Sequence, residues 1–467
     1  MRSNTQSVEQ QESTAERSSW RSLLHEFRPT LQLALPLVFA EIGWMSMGIV
    51  DTIMVGRLPN SAVAIGAVSL GQGLYYTTAI FGSGLLLGMD TLVSHAFGRN
   101  DLDDARHSLI NSVVLAVLLT PLLVGIVALW PLLMRHFGIS GELLREMDPF
   151  VTALNWSTLP LLMYFALRRY LQAVNVVKPI TFALISANVV NVIGNWVFIY
   201  GHWGVRAYGV PGSGWSTCLA RLYMAAVLVA ALLYNRVRLR LFATRLRVDF
   251  RRIARLLALG FPAATQILLE AGVFSTVTAI CGKLGPSPIA GHQIALNAAA
   301  FTYMMPLGIA SAAAVRVGHA LGRGDRRGAW RAGWAAILFG AILMAAAGVV
   351  FISIPERIAH VYTSDVEVIR VAVMLLYIGA AFELFDGLQT VATGALRGLG
   401  DTRTPAVVNL LAYWVIGLPL GWELCFRFHW GAAGLWIGLC LGLILVGSTL
   451  VLVWERRINA AATAQSA

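Results

Sequence analysis

Residues 95–101 read HAFGRND and residues 319–325 read HALGRGD. These stretches lie 224 residues apart, and the likeness continues on both sides of them. Upstream, VGRLPNSAVAIGAVSL from Val55 pairs with CGKLGPSPIAGHQIAL from Cys281 at an offset of 226. Downstream, KPI from Lys178 pairs with TPA from Thr404 at 226, and GSGWS from Gly212 with AAGLW from Ala432 at 220. A self-match held at a nearly constant offset marks an internal duplication. The chain is therefore two halves of one design.

Each half is filled with long apolar runs, such as residues 109–134 and 337–354. A run of roughly 18 or more apolar residues reads as a membrane-crossing helix. Composition agrees: 57% of the 467 residues are hydrophobic and 13% charged, where a soluble domain carries about 25% charged residues. Mean hydropathy is +0.69. Alternation at period two is absent, which argues against an outer-membrane barrel. Spans are expected to begin near Leu31, Ala62, His107, Pro149, Pro179 and Gly212, then near Ile253, Pro286, Gly328, Glu367, Thr404 and Gly431. The predicted fold is all-α and integral to the membrane, with twelve transmembrane helices in two six-helix bundles. An even number of spans per half gives both halves the same orientation, related by a pseudo-twofold axis along the membrane normal. The expected organisation is a cytoplasmic tail at 1–30, a bundle at 31–236, a basic linker at 237–252, a bundle at 253–457 and a cytoplasmic tail at 458–467. The second and eighth spans, 62–97 and 286–321, exceed the required length and carry Gly or Pro, so tilt, kinks or protruding ends are expected there.

The first 28 residues are polar and have no apolar core, which predicts a disordered tail rather than a cleaved signal peptide. A short amphipathic helix near Trp20 to Phe27 is the alternative. Net charge is +11. With the N-terminus inside, most Lys and Arg fall in cytoplasmic segments, densest over residues 236–255, and Arg221 alone falls within a span. That asymmetry predicts both termini in the cytoplasm and contact with lipid headgroups, not nucleic acid. Cys218, Cys281, Cys425 and Cys440 stand far apart in apolar runs without a C-x-x-C, so they read as small hydrophobes rather than metal ligands or a disulfide framework.

Several segments together resemble the multidrug and toxic compound extrusion (MATE) family, in its NorM-type bacterial branch. They are MGIVDTIMVG from Met47, AGHQIALN from Ala290, FDGLQTVATGALRG from Phe385 and the doubled HA(F/L)GR, and the likeness runs over residues 31–457. The resemblance implies a cation-coupled antiporter in the bacterial inner (cytoplasmic) membrane, exporting organic, often cationic and amphiphilic compounds. It also implies a protein that works as a single chain, without a cofactor, on a proton or sodium gradient.

A charge inside a bilayer is costly, so in-span acids are informative. They are Glu41, Asp51, Asp90, Glu270, Glu383 and Asp386. Glu383 and Asp386 are three apart and share a helix face. Neighbouring carboxylates in low dielectric repel, which suits a site that takes up a proton or a hard monovalent cation. The plain alternative is that each acid pairs with a buried Arg or caps a helix. The resemblance places Glu270 and Asp386 at the family's cation-binding acids and Asp51 in its first-span motif. Glu41 and Glu383 stand where related sequences commonly carry Gln, and they read equally as extra proton sites or as variants beside a water-filled cavity. The repeat sets Glu270 opposite Trp44, Asp386 opposite Pro160 and Glu383 opposite Ser157, so none has an acidic mate. Asp90 is expected to contact Arg99 or a nearby helix end.

His95 and His319 are twinned by the repeat, which predicts a structural role. His292 reads as a packing or gating residue, not a metal ligand. Asn188, Asn191 and Asn195 form a stripe on one helix face that must turn inward, to bridge helices or line a cavity. Tyr75, Tyr76, Trp156, Tyr303 and Tyr377 either offer ring faces to cationic cargo or simply pack. Candidate substrate-cavity residues are therefore Tyr75, Tyr303, Tyr377, Asn188 and His292. No G-x-S-x-G, H-E-x-x-H or P-loop occurs, which argues against an enzyme or an ATPase. An exporter or flippase of one metabolite or lipid-linked precursor is the alternative function.

Overall fold

The computed structural model describes residues 2–136, 141–239, 241 and 247–463, and their side chains from residue 26 to 460. Among the described residues the regular structure is helical throughout, with no strand. The first half runs α1 (Arg2–Val55), α2 (Ser61–Leu85), α3 (Gly88–Gly98), α4 (Leu102–His136), α5 (Gly141–Asn155), α6 (Thr158–Ala173), α7 (Lys178–Tyr200) and α8 (Val210–Tyr234). The second runs α9 (Phe250–Lys283), α10 (Pro286–Gly322), α11 (Arg326–Ser353), α12 (Pro355–His360), α13 (Val366–Leu399) and α14 (Arg403–Asn409). Two π-helical segments, Leu410–Gly417 and Glu423–Arg427, then flank α15 (Leu418–Trp422), and α16 (Gly431–Thr463) closes the half.

Among the described residues eleven spans are long and apolar enough to cross a membrane, and α5 with α6, bent by 45°, makes a twelfth. The expected all-α, twelve-span architecture is thus observed. The fourth span begins at Gly141 rather than near Pro149, because it is two helices and not one. The second span breaks between α2 and α3, as its glycines suggested, where Gly84 and Gly88 press against Ala264 and Leu256 of α9. The polar N-terminal segment is not the disordered tail expected: α1 is helical from Arg2. Its sequence holds good helix formers and neither Gly nor Pro before Pro29. Parts of the expected basic linker (240 and 242–246) and of the C-terminal tail (464–467) lie outside the described residues.

The duplicated heptapeptide shows how the halves are built alike. Asn100 (φ 62°) and Gly324 (φ 76°) take the left-handed conformation that ends α3 and α10. Asp101 then accepts from the Asp104 N–H at 2.9 Å, and Asp325 from the Gly328 N–H at 2.7 Å, capping α4 and α11. A Cβ on Gly98 would stand 2.9 Å from Gly322 Cα, and one on Gly322 would stand 2.8 Å from Gly98 Cα. The pseudo-twofold axis passes between these twin glycines, where only hydrogen allows the two backbones to meet.

An apolar core containing Leu37, Met89, Val93, Leu256, Val315 and Leu396 joins both bundles. These residues lie toward the side on which α8 connects to α9, here called the linker side. On the far side two further clusters each stay within one bundle: Val55, Tyr75 and Phe150 in the first, Ile294, Val368 and Ala372 in the second. Leu118, Leu122, Leu129 and Leu132 of α4 are more than half exposed, an apolar outer face that suits lipid.

Candidate functional site

In α13, Glu383, Asp386 and Gln389 follow one another at three-residue steps and so project from one side of the helix. Glu270 reaches them from α9. The Gln389 side-chain N–H₂ donates to Glu270 Oε1 at 2.8 Å and to Asp386 Oδ1 at 3.4 Å. Tyr303 of α10 donates its hydroxyl to Glu270 Oε1 at 3.4 Å. Tyr413 donates to Gln389 Oε1 at 3.3 Å from the first π-helical segment. That segment is also tied to α9, since Trp414 Nε1 donates to Leu269 O at 3.0 Å. A π-helix winds more residues per turn than an α-helix and shifts the side chains beyond it around the axis. Glu383 is fully buried: Thr302 donates to its Oε1 at 3.2 Å, while Oε2 has no partner. Among the described residues no ion pair reaches Glu270, Glu383 or Asp386, so the alternative of a buried Arg partner is not realised for these three acids.

The first bundle holds a second, separate site. Asp51 is buried and receives Asn191 Nδ2 at 3.0 Å, Asn195 Nδ2 at 2.7 Å, Thr217 Oγ1 at 2.9 Å and Gln72 Nε2 at 3.4 Å. Its donors are all neutral. Asn188, from the same sequence stripe, instead donates to Gly43 O at 2.8 Å and ties α7 to α1. Arg221, one turn beyond Thr217, is buried between the rings of Tyr75 and Tyr76, 4.8 and 5.7 Å from their centroids, and donates to Ser157 Oγ at 2.6 Å. The Tyr75 face is thus occupied by an internal cation. Tyr377 and Trp156 are 50% and 70% exposed. His292 has both ring nitrogens engaged, with Trp436 Nε1 at 2.9 Å and Thr278 Oγ1 at 2.8 Å, as a packing residue would.

Glu41 joins neither site. It is ion-paired with the buried Arg168 of α6. Asp90 does not meet Arg99, which pairs with Asp104 at 3.0 Å. It is shared by Arg169 and Arg397, each at 3.4 Å. Arg221 is therefore not alone among in-span basic residues: Arg168, Arg169, Arg316 and Arg397 all lie within membrane-crossing helices.

The polar ties between bundles lie on the linker side. His95 Nε2 bonds Gly398 O at 2.8 Å, and His319 Nε2 bonds Ala173 O at 2.6 Å. Thr91 donates to Arg397 O at 2.6 Å. Arg252 pairs with Asp104, and Arg316 with Glu26. These bonds and ion pairs join the two bundles at that end. Sequence reading missed Gln389, Tyr413, Thr302, Gln72 and Thr217. The amide and hydroxyls carry no charge to betray them, though Gln389 does lie on the Glu383 and Asp386 face.

The MatE family profile matches the chain twice, over residues 36–197 and 262–422. The chain is 35% identical over 450 residues to a probable multidrug resistance protein NorM of Mesorhizobium japonicum, covering 94% of this chain and 95% of that one. It is 35% identical over 449 residues to a protein of the same name from Rhodopseudomonas palustris, covering 95% and 94%. Its fold is similar to that of the eukaryotic MATE transporter AtDTX14, with a TM-score of 0.84 at 21% identity over 94% of this chain and 98% of that one. A MOP superfamily transporter from Pyrococcus furiosus superposes with a TM-score of 0.80 at 17% identity, covering 93% and 96%.

Proposed function

Since the chain belongs to the MATE family, in its NorM-type multidrug efflux branch, we propose that it is a cation-coupled antiporter exporting organic, mainly cationic amphiphilic compounds. Glu270 and Asp386 take up the coupling ion, a proton or sodium. The observation that carries this reading is a pair of in-span carboxylates that, among the described residues, are met by neutral donors, Gln389, Tyr303 and Gln266, and by no ion pair. A carboxylate without a fixed counter-charge in low dielectric gains most from a mobile one.

The cycle runs as exchange. Cargo enters between the bundles from the cytoplasm, and the bundles then close on the linker side and part on the far side. A cation arriving from outside neutralises the acid pair and favours release of the cargo. It does so only by binding one arrangement of the bundles better than the other. One charge moving down about 150 mV supplies roughly 3.5 kcal/mol, enough for a gradient of about 300-fold. No cofactor enters this cycle, and one chain suffices for it.

The membrane is the bacterial cytoplasmic membrane, with the linker side inside. The arginines at 236, 238, 247, 251, 252 and 255 on that side support this orientation. Acidic in-span sites favour a cationic cargo over a lipid-linked pyrophosphate. The test is efflux of ethidium from proteoliposomes under a sodium gradient and a proton gradient imposed separately. Flux under either supports the antiporter; flux under neither, with the protein folded, overturns it and points to a narrow exporter or flippase.

A further inference from the structure

We propose that a cavity on the linker side, between α1 and α10, binds the phosphate of an anionic phospholipid of the inner leaflet, with Arg316 and Arg323 as its ligands. The inference rests on the linker side facing the cytoplasm, and not on the coupling acids or the cargo.

The cavity has a volume of about 460 Å³ and lies where the two bundles meet. Glu26 and Gln32 of α1 line one wall, and Arg316 and Arg323 line the other, from α10 and its C-cap. Its two acids are already engaged: Glu26 is ion-paired with Arg316, and Asp325 caps α11. Arg323 is exposed, and among the described residues no ion pair reaches it. Val177, the N-cap of α7, also lines the cavity and supplies no capping side chain, so the positive end of that helix dipole lies at its wall. Guanidinium groups and a helix N-terminus are donors that suit phosphate. An apolar track runs from the site along α1, where Leu31, Leu35 and Phe39 repeat at four-residue steps and are 38%, 41% and 51% exposed. Such a track suits an acyl chain, which favours a lipid phosphate over a free one.

The ion pairs between the bundles give the site a role. Among the described residues there are three, and in each the first bundle supplies the acid and the second the arginine: Glu26 with Arg316, Asp90 with Arg397 and Asp104 with Arg252. Asp90 and Asp104 each also hold an arginine of their own bundle, Arg169 and Arg99. Parting of the linker side therefore strips the second bundle's arginines of their partners, while these two acids keep one. Arg316 loses Glu26, and a lipid phosphate takes the place of that carboxylate, bidentate on the guanidinium. Bound lipid thus favours the arrangement open on the linker side, through which cargo enters.

The test is saturable binding of fluorescent phosphatidylglycerol to the full chain in nonionic detergent, with fluorescent phosphatidylcholine as the neutral control. Phosphatidylglycerol should saturate and phosphatidylcholine should not. Arg323→Gln should weaken binding about fivefold, the share of one arginine, and because Arg323 is exposed the variant should fold as wild type does. Glu26→Gln frees Arg316 and should tighten binding. Equal binding of the two lipids, or wild-type affinity in Arg323→Gln, overturns the proposal, and weaker binding in Glu26→Gln overturns the exchange of carboxylate for phosphate. Soluble glycerol phosphate separates the two sources of phosphate. Displacement of the lipid by an equal concentration of it assigns the site to a free phosphate and overturns the lipid, whereas retention of the lipid supports it. Neither an ion gradient nor cargo enters this measurement, so its failure would leave the antiporter reading standing.

Discussion

His95 and His319 make the same bond in opposite directions across the bundle interface. Each uses Nε2 to reach the last carbonyls of the opposite bundle's matching helix, Gly398 O at the end of α13 and Ala173 O at the end of α6. The twinned motif thus builds a symmetric clasp on the linker side. His95→Ala and His319→Ala should each favour parting of that side by a similar amount, about 1 kcal/mol. Spin-label distances between linker-side ends of α3 and α10 would report it. A large effect from one histidine and none from the other would refute the symmetry.

The clasp needs close backbone contact at its centre. A Cβ at Gly98 would meet Gly322 Cα at 2.9 Å, so Gly98→Val should hold the linker side apart and abolish transport. Gly125 has open space around it, and Gly125→Ala should leave transport intact. The same efflux assay reads both, and a fully active Gly98→Val variant would contradict the packing argument.

Glu41 is tied to a buried guanidinium, and that pair reads as structural. Arg168 is 2% exposed. Glu41→Gln strands its charge and should cost about 3–5 kcal/mol of stability. Removing both partners together, as Glu41→Leu with Arg168→Met, should restore most of that loss. Thermal unfolding in detergent checks it. Additive losses in the double variant would mean the two side chains do not act as a pair.

Glu270→Gln and Asp386→Asn should abolish gradient-driven efflux while leaving thermal stability nearly unchanged, because neither acid has a fixed counter-charge. Asp51→Asn should differ from both. Its amide keeps one oxygen, so its N–H donors would face either Asn191 and Asn195 or Thr217 and Gln72, pairs that each donate to one oxygen of Asp51, and the substitution should cost about 1–3 kcal/mol. Comparing melting temperature with efflux across the three variants separates coupling from scaffold.

Much of the candidate site is legible in the sequence alone. Glu270, Glu383 and Asp386 stood out because an acid in an apolar run is conspicuous, and the three-residue step from Glu383 to Asp386 placed both on one face. Their neutral partners were not visible. Thr302 and Tyr413 are common residues in unremarkable sequence, and Tyr413 reaches Gln389 from a π-helical segment that no apolar periodicity announces. Asn188 and Asn191 share a sequence stripe and both reach α1, but one donates to the Gly43 carbonyl and the other to the Asp51 carboxylate, a difference that the stripe itself does not carry.

The chain's linear order determined the twelve spans, the duplication and the acids, since hydropathy, offset and charge are local properties that survive without contacts. Only tertiary structure decided which acids are neutralised. Glu41 and Arg168 meet across 127 residues, and Asp90 meets Arg397 of the other half, while Glu270 and Asp386 meet no cation among the described residues. Pairing in a low-dielectric interior depends on distances of a few ångströms between distant helices.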